Sequence, residues 1–266
     1  MYAFNYHKAS SVADAAAKLA SNGDAKLLAG GQTLIAAMKM RLAAPSDLVD
    51  LRGIGEMRGI RVEGGNVVVG AMSTHAEVGA SKDVRQSIPA LAALAEGIGD
   101  RMVRNMGTLG GSIANADPAA DYPAGVLGLG ATVVTDRRSI AADDFFTGMY
   151  ETALQPGEII TRVVFPIPQK CGYAKFANPA SRYAMVGVFV AQGGGGVRVA
   201  VTGAGPSAFR VPEMEQALGK TFTADAVANV KVSEADLNSD MHASAAYRAH
   251  LVTVMARRAV AAALGR

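Results

Sequence analysis

The feature that most constrains this chain is a run of small residues set between two apolar segments: Ala29-Gly30-Gly31-Gln32-Thr33, inside KLLAGGQTLIAAMKMRL. Lys26–Leu28 before it reads as a buried strand, and Leu34–Leu42 after it as a helix that stops ahead of Pro45. Paired glycines at a strand-to-helix joint permit positive φ and let backbone amides come close to a ligand. Consecutive amides in such a turn form a concave anion site, and a helix starting at Leu34 adds the positive end of its dipole. The pattern occurs again at Thr108-Leu109-Gly110-Gly111-Ser112, a second Gly pair followed by a hydroxyl side chain. Either pair alone fits an ordinary tight turn. Two of them suit a ligand with two linked phosphates.

The rest of the chain frames these joints. Phe4–Tyr6 reads as a strand, Ser10-Ser11 as the cap of a helix running to about Ala20 with Ser11 and Asp14 in capping-box relation, and Asp47–Leu51 as a strand. Arg58–Glu63 and Asn66–Gly70, split by Gly64-Gly65, read as a hairpin. Thr74–Glu77 is a capped helix start, Ile88–Ile98 a helix with Pro89 early, Pro123–Leu129 a short helix, and Ala131–Thr135 and Ile159–Phe165 strands. Asp143–Met149 reads as a loop or short helix. Pro166-Ile167-Pro168 is the best domain boundary. Beyond it, Tyr173–Phe176, Met185–Ala191 and Val197–Thr202 read as antiparallel strands with the Gly193–Gly196 run as a hairpin tip. Pro212–Leu218, Ala224–Val230 and Ser244–Leu264 then read as helices, the last with Arg257-Arg258 on its outer face. Strands followed by helices make this an α+β unit.

Charge and composition exclude several classes. Twenty-six Lys and Arg against 23 Asp and Glu leave a net charge of +3, with no basic block, so nucleic acid is not the expected partner. No apolar run is long enough to span a membrane. MYAFNYHKASS has neither a basic leader nor an apolar signal core, so a cytoplasmic location is the default expectation. Cys171 is the sole cysteine, which rules out an internal disulfide and any cysteine-ligated iron–sulfur cluster held by this chain alone.

Other candidate motifs are weaker. Gly203-Ala204-Gly205-Pro206-Ser207-Ala208 matches a dinucleotide fingerprint, but Pro212 follows within about a turn and no parallel strand comes next, so it reads as a strand-to-helix loop. His7, His75, His242 and His250 lack metal-ligand spacing. Asp117 and Asp121 could act as a carboxylate pair, although helix capping is the better reading. Ser112 has no triad around it. An enzyme without such a constellation leaves its chemistry to a cofactor.

With both Gly pairs in place, four stretches in order resemble the FAD-binding medium subunits of the molybdenum hydroxylases, the xanthine dehydrogenase and carbon monoxide dehydrogenase flavoprotein family. These are LLAGGQTLIAAMKMRLAAPSDLVDL, GTLGGSIANADPAADYPA, YAKFANPASRYAMVGVFVA and SDMHASAAYRAHLVTVMARRAV. The resemblance implies an α+β, vanillyl-alcohol-oxidase-like FAD fold: residues 1–165 as two subdomains (about 1–57 and 58–165), and 166–266 as a C-terminal α+β domain. It implies non-covalent FAD, with Ala29, Gly30, Gly31, Gln32 and Thr33 and with Thr108, Leu109, Gly110, Gly111 and Ser112 cradling the pyrophosphate through amides and hydroxyls. Asp121 matches an aspartate that contacts the cofactor, Lys175 the basic residue of the Y-x-K-F segment, and Tyr183 an aromatic near the isoalloxazine. Ile160 and Phe165 lie in a stretch that packs near the flavin. Gln32 stands where many relatives have His, and Thr33 where they have Ser.

By the same resemblance, substrate reacts at a molybdenum–pterin centre on a large subunit. Electrons pass through two 2Fe-2S clusters on a small subunit to this FAD and on to an external acceptor, in a dimer of heterotrimers. The lone Cys171 agrees with that division. The competing readings are a self-contained FAD oxidase or dehydrogenase, and a non-catalytic FAD-binding assembly module.

Overall fold

A computed structural model describes residues 1–265. The chain begins with a small parallel sheet, Asn5–Lys8 (β1), Lys26–Leu28 (β2) and Asp47–Asp50 (β3), ordered β1-β3-β2. Parallel neighbours need crossover connections, and helices Val12–Ala20 (α1) and Leu34–Lys39 (α2) supply them. Ser11 caps α1 by accepting from the Asp14 amide at 3.1 Å, while the Asp14 carboxylate turns back to the Ser10 amide rather than to that of Ser11. The expected box is therefore displaced by one residue. α2 ends earlier than its apolar run suggests, because Arg41 enters left-handed backbone at φ +60.

An antiparallel sheet follows. Ile60–Glu63 (β4) and Asn66–Gly70 (β5) form a hairpin whose tip, Gly64-Gly65, holds φ of +56 and +76, the pair of left-handed residues that a two-residue type I′ turn requires. Six helices come next: His75–Ala80 (α3), Lys82–Ser87 (α4), Pro89–Glu96 (α5), Arg101–Met106 (α6), Leu109–Asn115 (α7) and Tyr122–Gly128 (α8). Thr74 and Glu77 complete a capping box at α3. Thr132–Thr135 (β6), Ser139–Ala141 (β7), Ala142–Phe145 (α9), Phe146–Gly148 (β8), Glu151–Thr152 (β9) and Ile160–Pro166 (β10) follow, and β10 enters between β5 and β6 to give the order β4-β5-β10-β6-β7.

The last sheet is a meander of Lys170–Ala177 (β11), Ala184–Gly193 (β12), Gly196–Thr202 (β13) and Phe209–Arg210 (β14), backed by Pro212–Lys220 (α10) and Ala245–Ala263 (α11). Strand alternation divides β12 between two cores. Val186, Val188 and Val190 pack with α10 and α11, whereas Phe189 and Ala191 join the core of the preceding helices and sheet. Burying Phe189 completely contributes roughly 1.5–3 kcal/mol to that joint. Gly172 lets α11 lie directly on β11, since a Cβ there would stand 2.0 Å from the Ala259 carbonyl oxygen. The expected helix at 224–230 is only a 3-10 turn, Ala224–Val227: Thr223 makes no side-chain cap, and the β-branched Val227 and Val230 favour helix weakly.

Candidate functional site: a cleft beside the junction of two glycine pairs

The first pair is a true turn. β2 ends at Leu28, Gly31 adopts φ +74, and α2 starts at Leu34. Among the described residues, the amides of Gly30, Gly31, Gln32 and Thr33 donate to no protein acceptor. Thr33 occupies the cap position of α2 without a side-chain cap bond, so its exposed hydroxyl is also available. The donors expected at this joint are present and unspent.

The second pair departs from expectation. It is not a turn but the first turn of α7, with Thr108 as N-cap. Leu109 N–H donates to Ser73 O at 3.0 Å and Gly110 N–H to Ala71 O at 2.8 Å, while Gly111 N–H goes to Thr108 Oγ1 at 3.1 Å and Ser112 N–H to Thr108 O at 3.0 Å. All four amides are consumed inside the protein. Gly110 is glycine for packing: a Cβ would stand 2.7 Å from Ala71 Cβ. What this motif leaves for a ligand is the Thr108 amide and the Ser112 hydroxyl, neither of which bonds to protein among the described residues.

The two motifs meet. A Cβ on Gly30 would lie 2.1 Å from Met106 O and 2.8 Å from Gly107 Cα, and one on Gly111 would lie 3.5 Å from Ala29 Cβ. Beside this junction is a cleft of about 520 Å³ whose wall includes Ala29, Gly30, Thr74, Asn105, Met106 and Thr108. Arg52 and Arg58 also face it. Sequence reasoning missed both, because isolated arginines after β3 look like any surface charge. Arg52 is braced: its Nε and Nη2 donate to buried Asp50 at 2.9 and 2.8 Å, and the Tyr6 hydroxyl donates to the same carboxylate. Burial pushes the Asp50 carboxyl up, but the hydrogen bonds from Arg52 and Tyr6 outweigh it and hold the group below the usual carboxylate range.

Under the cleft lies His75, next to Thr74 in sequence and 5% exposed. Its amide donates to Gly107 O at 3.0 Å, its Nδ1 has no partner, and its ring tilts against Tyr122 at 5.3 Å. Burial, with a smaller push from Arg104, lowers its pKa to about 4. It is neutral at neutral pH.

Buried Asp121 and partly buried Lys175 come together as an ion pair at 2.9 Å, away from the cleft wall. The Tyr173 hydroxyl donates to Asp121 at 2.6 Å, and Lys175 also donates to Gly97 O and Arg182 O at 2.8 and 2.9 Å. Burial holds the Asp121 carboxyl above the ordinary range, against Lys175 and Tyr173. The capping expectation therefore fails for Asp121, which makes no cap bond to α8; Asp117 does cap a turn, through Ala119 N–H at 2.9 Å. Tyr183 sits half-exposed in the β11–β12 loop. Ile160 and Phe165 are buried in the core, Phe165 paired with Val67, and neither lines the cleft.

Residues 2–168 match the model for the FAD binding domain in molybdopterin dehydrogenase, and residues 174–263 that for the CO dehydrogenase flavoprotein C-terminal domain. The carbon monoxide dehydrogenase medium chain of Hydrogenophaga pseudoflava is 37% identical, over 99% of this chain and 98% of its own. The nicotine 6-hydroxylase medium subunit of Paenarthrobacter nicotinovorans is 37% identical over 97% and 96%. A structure of reconstituted CO dehydrogenase from Oligotropha carboxidovorans superposes with a TM-score of 0.90 at 36% identity, covering 100% of this chain and 99% of that one.

Proposed function

The chain belongs to the FAD-binding medium subunits of the molybdenum hydroxylases, and from that premise we propose that it is the FAD-carrying electron-transfer subunit of such an enzyme. In this reading it accepts electrons from 2Fe-2S clusters on a small subunit, fed by a molybdenum–pterin centre on a large one, and delivers them to an external acceptor. The complex is a dimer of heterotrimers in the cytoplasm. Residues 1–165 form the FAD-binding domain, with subdomains of about 1–57 and 58–165, and 166–266 the C-terminal domain.

One observation carries this reading. Four consecutive amides at Gly30–Thr33 lack protein acceptors at the point where the second motif meets the first. Such an array fits a diphosphate, and the guanidinium groups of Arg52 and Arg58 on the cleft wall offset its charge. The amides of Gly30 to Thr33 and the Thr33 hydroxyl hold the phosphates on one side, the Thr108 amide and the Ser112 hydroxyl on the other. Asp121 and Lys175 fix the segments that carry the cofactor's far contacts, Tyr183 gives its planar end an aromatic face, and Ile160 and Phe165 support that region from the core. Bound there, FAD supplies the redox chemistry. The chain's own part is to bind it, orient it and keep its charge balanced.

The test is rapid mixing of the purified chain. Non-covalent FAD that dithionite bleaches, but that organic substrates bleach only after the iron–sulfur and molybdenum subunits are added, is the expected result. Substrate-driven bleaching of the isolated chain would support the self-contained oxidase instead.

A further inference from the structure

Four non-glycine residues among those described adopt left-handed backbone, and three of them gather at one place: Ala116 (φ +46), Tyr150 (φ +56) and Arg182 (φ +63). Tyr150 N–H donates to Ala116 O at 3.2 Å, and Ala184 N–H, just beyond Arg182 and Tyr183, donates to Ala119 O at 3.2 Å. Asp117 lies among them. Partial burial and then the Asp117 charge raise the Tyr150 phenol; partial burial, Asp117, Tyr150 and Asp121, in that order, raise the Tyr183 phenol.

A bulky aromatic at positive φ is a genuine outlier. Such strain persists only where the surroundings over-determine it, and it concentrates at functional sites. The short hairpin β8–β9 uses glycine at position 148 yet places tyrosine at the strained position 150. The side chain gains no core contact from this, because Tyr150 is 59% exposed, and Tyr183 nearby is 47% exposed. Neither ring packs against another aromatic ring among the described residues. Two amphipathic rings are thus presented in one neighbourhood, each exposed and without an aromatic partner among the described residues.

Their position relative to the phosphate-binding motif is fixed by α7. Thr108 caps its start, Ala116 caps its end, and its seven residues measure about 10 Å at the usual helical rise. The aromatic pair therefore lies one short helix from the phosphate-binding junction, on the order of the length of a ribityl linker.

We propose that Tyr150 is a second aromatic contact for the planar end of the bound flavin, working with Tyr183, and that the β8–β9 hairpin is held in a strained form to present it. The inference rests on the reading that the cleft holds FAD. It assigns a role to a residue outside both glycine motifs, and it explains why glycine, the relaxed choice for that backbone, is absent there.

The test uses the FAD-loaded chain with Tyr150→Gly and Tyr150→Phe. Tyr150→Gly relieves the backbone and removes the ring. It should raise the Tm of the apoprotein by roughly 2–4 °C, weaken FAD binding roughly 3- to 10-fold, and increase the fluorescence of the bound flavin, since a neighbouring phenol quenches it. Tyr150→Phe keeps the ring and should keep the affinity within about twofold. Wild-type affinity and unchanged fluorescence in Tyr150→Gly overturn the proposal while leaving the FAD reading intact. A wild-type chain that folds without retaining FAD overturns the parent reading. If Tyr150→Gly leaves the flavin untouched and instead prevents assembly with the partner subunits, the aromatic belongs to a subunit interface and the proposal falls.

Discussion

Ala29–Thr33 and Thr108–Ser112 share one written pattern, a glycine pair followed by a hydroxyl, yet fold into different objects. The first is a turn with Gly31 at φ +74 and a row of unspent amides. The second is a helix start in which neither glycine has positive φ and every amide from Leu109 to Ser112 is already bonded to protein. Glycine serves conformation at Gly31 and close packing at Gly30 and Gly110. The pair therefore divides the work: the first motif offers most of the donors to a ligand, while the second, which keeps only the Thr108 amide and the Ser112 hydroxyl unspent, forms a rigid surface against which the first is pressed. Gly30, wedged against the Met106–Gly107 backbone, is where the two become one site.

The most severe way to break that arrangement is Gly30→Val. A Cβ at 2.1 Å from a backbone oxygen cannot be relieved by a side-chain rotation. The expected cost is about 3 kcal/mol, the upper part of the overpacking range, with loss of bound FAD and a Tm lower by roughly 6 °C or more. Calorimetry and flavin content after gel filtration check both. A variant that keeps its FAD and its Tm would show that the motifs do not meet as described.

Acid should attack the second motif and spare the first. His75, bonded through its amide to Gly107, has a folded pKa of about 4 against an ordinary 6.5. The unfolded chain therefore takes up a proton that the native chain refuses as pH falls below 6.5. Stability present at neutral pH declines through that window, by roughly 3 kcal/mol in total once pH is below 4. Urea midpoints measured between pH 7 and 4 should show the decline in wild type and much less of it in His75→Leu, whose loss of an unpartnered Nδ1 breaks no hydrogen bond at that atom. FAD should be released across the same window. Equal slopes in the two proteins would remove His75 from the account.

A finer contrast comes from Gly31→Ala against Gly111→Ala. Alanine at φ +74 carries left-handed strain of roughly 1–2 kcal/mol, and the unspent amides shift with it, so FAD affinity should fall about tenfold. Alanine at Gly111 gains helix propensity of about 1 kcal/mol but crowds Thr108 Oγ1, 2.9 Å from the new Cβ. The two effects nearly cancel, leaving stability within about 1 kcal/mol of wild type and affinity little changed. If both variants lose FAD equally, the division of labour is wrong.

Much of this fold could be read from local chemistry. The Gly64-Gly65 hairpin, the strand-turn-helix joint at Lys26–Leu34 and the Thr74–Glu77 cap each depend on residues close in sequence, and the structure has them where expected. The second motif misled because Gly110 is required by Ala71, and the amide acceptors are Ser73 and Ala71, all supplied by a distant segment. Asp121 looked like a cap because its partners, Tyr173 and Lys175, arrive from β11. Arg52 and Arg58 acquire significance only from the cleft they share. Long-range packing, which no local pattern encodes, accounts for each of these misses.

The smallest expected effects test the same division at single hydroxyls. Thr33 lies on the donor side with its hydroxyl unspent. Thr33→Ala should therefore leave the apoprotein Tm near wild type while weakening FAD about fivefold, the worth of one hydrogen bond near 1 kcal/mol. Thr108 lies on the packing side: it is buried, and its Oγ1 holds the Gly111 amide at 3.1 Å. Thr108→Ala removes an N-cap and should cost about 1 kcal/mol of stability in the apoprotein itself. Its amide can still reach a ligand, so any loss of FAD affinity should be no larger than the loss of fold. Melting curves of both apoproteins beside FAD titrations of both holoproteins separate the cases. A Thr33 variant that loses Tm, or a Thr108 variant that loses affinity alone, would exchange the roles of the two motifs.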